Sequence, residues 1–307
     1  MRSNYFLVKL VSATIVLFIV ISATFILLRT LPGGPFDSEK KLPPKVKANI
    51  EKKYKLDQPI LSQYTSYVGN IIKLDLGPSY FYTGKSVNEI IAKSFPFSLK
   101  VGSISLLVTV CASLYLAIFL FQRKQDFVTK LISLFLYASV GIPTFLLGAI
   151  LIILFSVKFP ILPAALLETP ASYILPVLTL SIPSISFLTK LMIESMDETE
   201  SSMYVRNARI NNINPKSLLN FYIVKNSLIP FTTAIGPIAA FMITGSFVVE
   251  SIYSIPGMGR MFVFSIINRD YPLICGLTIV YTIILISLNM IIDFTYPLLD
   301  KRIKMQK

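Results

Sequence analysis

Long apolar runs separated by short polar islands set the pattern of this chain. The runs 10–28, 101–122, 131–157, 169–189, 226–249 and 271–292 contain no Asp, Glu, Lys or Arg. A helix that crosses a bilayer needs about 20 predominantly apolar residues. The pattern therefore predicts an all-α integral membrane protein with six transmembrane helices. The first run, between Lys9 and Arg29, is longer than the roughly 7–15-residue apolar core of a secretory signal. It is expected to stay as the first transmembrane helix, residues 1–31, and Pro32-Gly33-Gly34-Pro35 stops it. Gly141-Ile142-Pro143 interrupts the third run, and Pro176 and Pro183 lie in the fourth. Such breaks are tolerated where neighbouring helices satisfy the freed carbonyls.

Two islands stand out. Residues 32–96 read as a small external segment of short helices. Pro43-Pro44 opens one over Lys45 to Tyr54, and Asp57-Gln58-Pro59 marks a turn. Ser86-Val87-Asn88-Glu89 has the form of a capping box leading a further short helix back to the membrane. The second island, 190–230, is expected to form a helix–turn–helix. Met203 to Ile213 has amphipathic spacing, Asn212 suits a left-handed helix terminator, and Asn214 with Pro215 suits the cap and first position of a second helix.

Composition agrees with the pattern. Hydrophobic residues make up 54% of the chain and charged residues 15%, against about 25% charged in a soluble domain, and mean hydropathy is +0.68. The net charge of +13 follows from basic residues at the membrane boundary, where they meet anionic lipid; no nucleic-acid groove is visible. Cys111 and Cys275 sit inside apolar runs as packing residues, and a chain without histidine has no His-based metal site, triad or proton relay. Thr83-Gly84-Lys85-Ser86 ends like a phosphate-binding loop, but Ser79 stands where that motif needs its first Gly. The chain is expected to bind no cofactor and to hydrolyse no ATP. Arg123, Lys124 and Lys130, with the tail residues Lys301, Arg302, Lys304 and Lys307, put both termini and the 190–230 island on the cytoplasmic side.

The stretch from Tyr204-Val205-Arg206-Asn207-Ala208-Arg209 to Ile229-Pro230 resembles the cytoplasmic loop of bacterial ABC-importer permeases of the dipeptide/oligopeptide branch, Y-x-R-T-A-R-A-K-G followed by a Leu/Ile-Pro pair. It matches at Tyr204, Arg206, Ala208, Arg209 and Pro230 and departs at Asn207, Ile210, Asn211 and Asn212. Arg29 to Pro35, Leu42-Pro43-Pro44, Tyr54 to Pro59, Gly77-Pro78-Ser79 and Ser86-Val87-Asn88 are similar to oligopeptide permease B subunits in particular. So are Ile243 to Glu250, Ile255 to Arg260 and Asn268-Arg269-Asp270-Tyr271.

The resemblance implies a type-I ABC importer permease, its permease domain at 97–303 and its ATPase-coupling loop at 190–230. It implies Tyr204, Arg206, Ala208, Arg209, Asn212 and Pro215 as the coupling residues. It implies as partners a second homologous permease subunit, two ATP-binding subunits that carry ATP and Mg, an external peptide-binding protein and membrane lipid. The setting it implies is a bacterial cytoplasmic membrane. Arg206 and Arg209 are expected to pair with ATPase carboxylates, and the apolar side of their helix to pack in the ATPase groove. Gly245, Ser246 and Glu250 are candidates for a cavity or outer gate. An interfacial charge at a helix terminus is the plainer reading of Glu250. Dipeptides, nickel chelates or other small solutes are alternative cargoes to oligopeptides. A proton-coupled symporter is a different mechanism, and it needs ionisable groups within the spans.

Overall fold

The computed structural model describes residues 2–30, 52, 56–123 and 126–299. The stop at Pro32–Pro35, the helix after Pro43-Pro44 and the basic tail lie outside these residues. Contacts divide the chain into two units, Met1–Pro96 with Pro256–Ile283, and Phe97–Ile255 with Ile284–Lys307. Among the described residues the regular secondary structure is helical, apart from one isolated bridge between Pro78 and Ser86.

In the first unit, α1 (Arg2–Thr30) is apolar on all sides and mostly exposed, as befits a helix solvated by lipid. Its last turns carry α2 (Ile60–Ile72). Ser22 Oγ and Tyr64 Oη hydrogen-bond at 2.6 Å. The Phe25 ring meets Tyr64 edge-on at 5.4 Å and stacks on Tyr67 at 5.5 Å. Leu74 then takes a left-handed φ of 60°, and the Leu74 and Asp75 N–H groups donate to Ile71 O and Asn70 O (2.8 and 2.9 Å). This is the paired closure of a Schellman motif. Asn88, in the first turn of α3 (Val87–Gln122), clamps the next segment by accepting from Leu76 N (2.9 Å) and donating to Leu74 O (2.7 Å).

Residues 77–87 close on themselves: Ser79 N donates to Lys85 O (3.0 Å) and Val87 N to Gly77 O (2.9 Å). The false phosphate motif, with Gly84 at φ 80°, is the tip of this turn, and its Lys85 N donates to Tyr82 O (3.0 Å). The turn is wrapped around Asp270, which is fully buried. The Asp270 carboxylate accepts from Ser79 Oγ, Tyr80 N (3.0 Å) and Phe81 N (3.3 Å). It also accepts from Leu273 N (3.4 Å), in the first turn of the last helix. One carboxylate thus ties the 77–87 turn to the start of a membrane helix.

In the second unit, α4 (Phe127–Val140) and α5 (Thr144–Ile152, prolonged by a π-helical turn Ile153–Lys158) meet at a bend of 117°. Their partner α6 (Ile174–Ser201) follows a 3₁₀ turn, Pro170–Tyr173. Ser139 hydrogen-bonds Ser186 (2.6 Å), while a Cβ built at Gly148 would lie 3.4 Å from Thr179 Cγ2. Leu136 shares a core with Ile185, and Leu151 shares one with Leu175. Both arms of the bent pair thus pack along α6. Counted as one span, the pair brings the five long apolar helices to six.

The breaks differ from expectation in four places. The short helix after Ser86 and the run 101–122 form one continuous helix, α3, which passes through Pro96; Ser86 Oγ accepts from Glu89 N (3.2 Å). The fourth run continues to Ser201, because Glu, Asp and Thr at the membrane edge do not stop a helix whose last turns still bury Met192 and Met196. The fifth run starts early: Pro215–Ser217 and a π-helical turn Leu218–Val224 lead without a gap into α8 (Lys225–Thr244). It also ends early, at Gly245, and a short helix, α9 (Phe247–Ile252), follows. Small residues bring these helices together. A Cβ at Gly102 would strike the Met242 carbonyl, Ser181 Oγ donates to Ser105 O (3.1 Å), and a Cβ at Gly236 would lie 2.8 Å from Asn289 Oδ1.

Replacing Asp270 with Ala strands several buried N–H donors and is expected to cost about 3 kcal/mol. Thermal unfolding of the detergent-purified protein should show this as a lowered melting temperature, with Asp270→Asn losing less because it keeps an acceptor oxygen.

Candidate functional site

The 190–230 island is mostly helix. Ser202, extended at ψ 150°, separates α6 from α7 (Met203–Ile210). Asn212 adopts φ 53°. Asn212 N donates to Arg209 O (3.1 Å) and Ile213 N to Ala208 O (3.2 Å), so the helix ends in a complete Schellman motif with Asn in the place usually held by Gly. Ile213 packs against the same core as Ala208, the apolar contact that accompanies this motif. Asn214 Oδ1 then accepts from Lys216 N (2.9 Å) and Pro215 takes the first helical position. The helix that follows is not short, as expected, but runs on into the membrane crossing.

Val205 and Ala208, one turn apart, are buried in a core with Met192, Met196, Leu218, Ile223 and Phe231. The apolar stripe is therefore used by the chain itself rather than left for a partner's groove; burying Val205 alone is worth about 2 kcal/mol. Tyr204, Arg206, Asn207, Arg209 and Ile210 are exposed. Arg209 Nη2 already pairs with Glu200 Oε1 at 3.0 Å, which ties α7 back to the end of α6. Arg206 makes no ion pair among the described residues. Of the six residues singled out from sequence, Ala208 seats the helix, Asn212 and Pro215 set its turn, and Tyr204, Arg206 and Arg209 form its outward face.

The other candidates lie beyond the far end of α8, a 20-residue helix about 30 Å long. Gly245 breaks the helix at φ 91°, a conformation open to Gly. Ser246 Oγ caps α9 by accepting from Val249 N (3.5 Å). Glu250 is 3% exposed, which corrects its reading as an interfacial charge. Its Oε1 accepts from Ser98 Oγ (2.7 Å), and a Cβ at Gly245 would collide with that oxygen. The carboxylate fills the notch left by the missing side chain. Gly245, Ser246 and Glu250 thus form one local unit, joined to α3 by Ser98.

Two features escaped the sequence reading. Ser98 carries no pattern. Asp270 does have one, since an acid followed two positions later by Pro272 is a helix-start signal. Tyr80, in the turn over Asp270, is half-buried, and that burial pushes its hydroxyl above the usual tyrosine range while Arg29 opposes the shift.

Apolar helices long enough to cross a membrane define a multi-pass membrane protein. The fold is similar to that in the crystal structure of an amino acid ABC transporter with histidines, with a TM-score of 0.53 over 67% of this chain and 92% of that one at 13% identity. Residues 100–305 match the binding-protein-dependent transport system inner membrane component, and residues 3–106 match the N-terminal part of such components. The chain belongs to this family.

Among its relatives, the dipeptide transport system permease protein DppB of Bacillus subtilis is 33% identical over 99% of both chains. The oligopeptide transport system permease protein OppB of Haemophilus influenzae is 35% identical over 96% of this chain and 97% of that one. The protein is a membrane permease subunit of an ABC importer, not an enzyme, and ATP hydrolysis belongs to separate chains.

Gly245→Ala is expected to displace the Glu250 carboxylate and lower the melting temperature of the purified protein, equivalent to about 2 kcal/mol. Asn212→Gly should leave stability unchanged or raise it by up to about 1 kcal/mol, and a loss would show that the Asn side chain does more than accept the left-handed turn.

Proposed function

We propose that this chain forms one side of the pathway through which an ATP-driven importer moves oligopeptides across a bacterial cytoplasmic membrane. Its partners are a second homologous permease subunit, two ATP-binding subunits that carry ATP and Mg, and an external peptide-binding protein that delivers the cargo. The peptide nature of the cargo is supported by relatives named for oligopeptides and for dipeptides. A cytoplasmic setting for α7 and both termini is supported by the basic residues Arg123 and Lys130 between the second and third apolar runs.

In this reading α7 is where the ATPase drives the permease. The observation that carries it is the two-sidedness of that helix: Val205 and Ala208 are sunk in the chain's own core, while Tyr204, Arg206 and Arg209 face outward. A push on the outward face is passed to a seat shared by α6 and the start of α8, so α7 moves with the crossings it joins. Arg206 meets a carboxylate of the ATPase. Arg209 acts mainly through Glu200, holding α7 at the angle that presents Arg206. At the other end of α8, the Gly245 break and its Glu250 plug serve as a gate element that moves with the same helix.

Uptake of a labelled oligopeptide by cells carrying the complete importer tests this reading. Arg206→Glu is expected to reduce uptake at least tenfold with normal membrane abundance and reduced recovery of the ATPase. Arg209→Glu alone should also impair uptake, and Glu200→Arg combined with Arg209→Glu should restore much of it by re-forming the pair. Unchanged uptake in Arg206→Glu would count against α7 as the coupling element. Uptake that survived ATP depletion under a maintained proton gradient would favour the symporter mechanism instead.

A further inference from the structure

A cavity of about 280 Å³ lies in the first unit, among the last turns of α1, α2, the segment 75–80 and the start of the final helix. Arg29 lines it, with its guanidinium over the rings of Phe25 (5.2 Å) and Tyr271 (6.0 Å). No carboxylate pairs with Arg29 among the described residues. Two further lining atoms, Gln63 Oε1 and Tyr67 Oη, are buried without a hydrogen-bond partner. The Gln63 amide nitrogen is already committed to Leu56 O (3.1 Å) and Gln58 O (2.7 Å), so the oxygen is the atom left over. The Cys275 thiol beside Tyr67 is a weak partner. Buried polar atoms left unpaired in this way are uncommon and point to a missing partner.

The depth of the cavity follows from α1. Its charge-free run 10–28 is bounded at this end by Arg29, which marks where hydrocarbon gives way to head groups. α2 is fastened one to two turns below that point, through Tyr64 to Ser22 and through Tyr67 to Phe25. Its other side is apolar and unpacked: Leu61 is 74% exposed and Ile72 78%. A helix with such a face, held at that depth, lies in the membrane interface.

The charges of the cavity are complementary to a zwitterion. Arg29 supplies the cation, and Asp75, exposed at the rim, supplies the carboxylate, one of whose oxygens accepts from Gly77 N (2.9 Å). We propose that this cavity holds the phosphoethanolamine head group of a membrane phospholipid. The phosphate sits on Arg29 and the Tyr67 hydroxyl, and the ammonium turns outward to Gln63 Oε1 and Asp75. The acyl chains lie along the exposed apolar sides of α1 and α2. A zwitterionic peptide offers the same two charges, but it has no acyl chains for those sides and no reason to sit at head-group depth. The bound lipid would fix α2 against α1.

Native mass spectrometry of the delipidated importer, titrated with dioleoyl phosphatidylethanolamine, tests the site without any transport assay. Wild type is expected to retain one more lipid than Arg29→Gln or Tyr67→Phe, with retention at this site weakened at least tenfold in Arg29→Gln. Tyr67→Phe removes one hydroxyl and keeps the packing against Phe25, so it reports on the site even where Arg29→Gln disturbs assembly. Dioleoyl phosphatidylglycerol, which lacks the ammonium, should bind more weakly, and Asp75→Asn should narrow the gap between the two lipids. Competition by free phosphoethanolamine would support a head-group site. Equal retention of phosphatidylethanolamine by wild type and both variants overturns the proposal. So does displacement of the lipid by a zwitterionic dipeptide at lower concentration than phosphoethanolamine, which would make the cavity a cargo site.

Discussion

A bilayer offers no water to backbone groups, so every place where a membrane helix stops has to supply its own partners. The breaks in this chain show how that demand is met. Schellman closures end helices at Leu74, Asn212, Ser254 and Arg269, all non-glycine residues in the left-handed region. Each accepts roughly 1 kcal/mol of backbone strain in return for two satisfied carbonyls. Where a closure is not enough, a buried carboxylate is brought in. Asp270 gathers the donors of the 79–81 turn and of the last helix, and Glu250 fills the notch beside Gly245.

Between the breaks, close approach of backbones takes over. Gly102 against Met242 and Gly236 against Asn289 leave no room for even a methyl group. The hydroxyls of Ser181 and Ser139 reach across to neighbouring helices. Lipid is as apolar as leucine, so contacts of this kind, rather than the hydrophobic effect, draw membrane helices together. Apolar cores do form at particular places, and the one beneath α7 is the most consequential. It converts a short helix of ordinary propensity into a fixed part of the permease body.

That seating accounts for the two-sided character of α7. Eight residues make a helix too short to persist alone. Val205 and Ala208 anchor it, the Glu200–Arg209 pair braces it, and Asn212 and Asn214 end it on one side and begin the next helix on the other. What remains facing outward mixes the polar Arg206, Asn207 and Arg209 with the exposed Met203, Tyr204 and Ile210.

The periodicity and length of the apolar runs were sufficient to determine an all-α membrane protein with six crossings, because bilayer thickness sets helix length directly. The turn at Asn212–Pro215 was equally legible, since left-handed tolerance, capping and the fixed φ of proline act locally. Helix limits were not legible where charge and burial compete: Met192 and Met196, packed in the core under α7, carry α6 past the expected membrane edge to Ser201. Nor was the role of a charged residue visible from its place in the chain. Glu250 read as an interfacial charge and Asp270 as part of a motif, yet both are buried, because Ser98, Ser79 and the 80–81 amides reach them across more than 150 positions. The packing of the bent 127–158 pair was likewise decided by tertiary contact, as Ser139 and Gly148 meet α6 about two turns apart, at Ser186 and Thr179. Local sequence sets propensity and period, and only packing decides which side of a helix is spent inward and which is left to meet a partner.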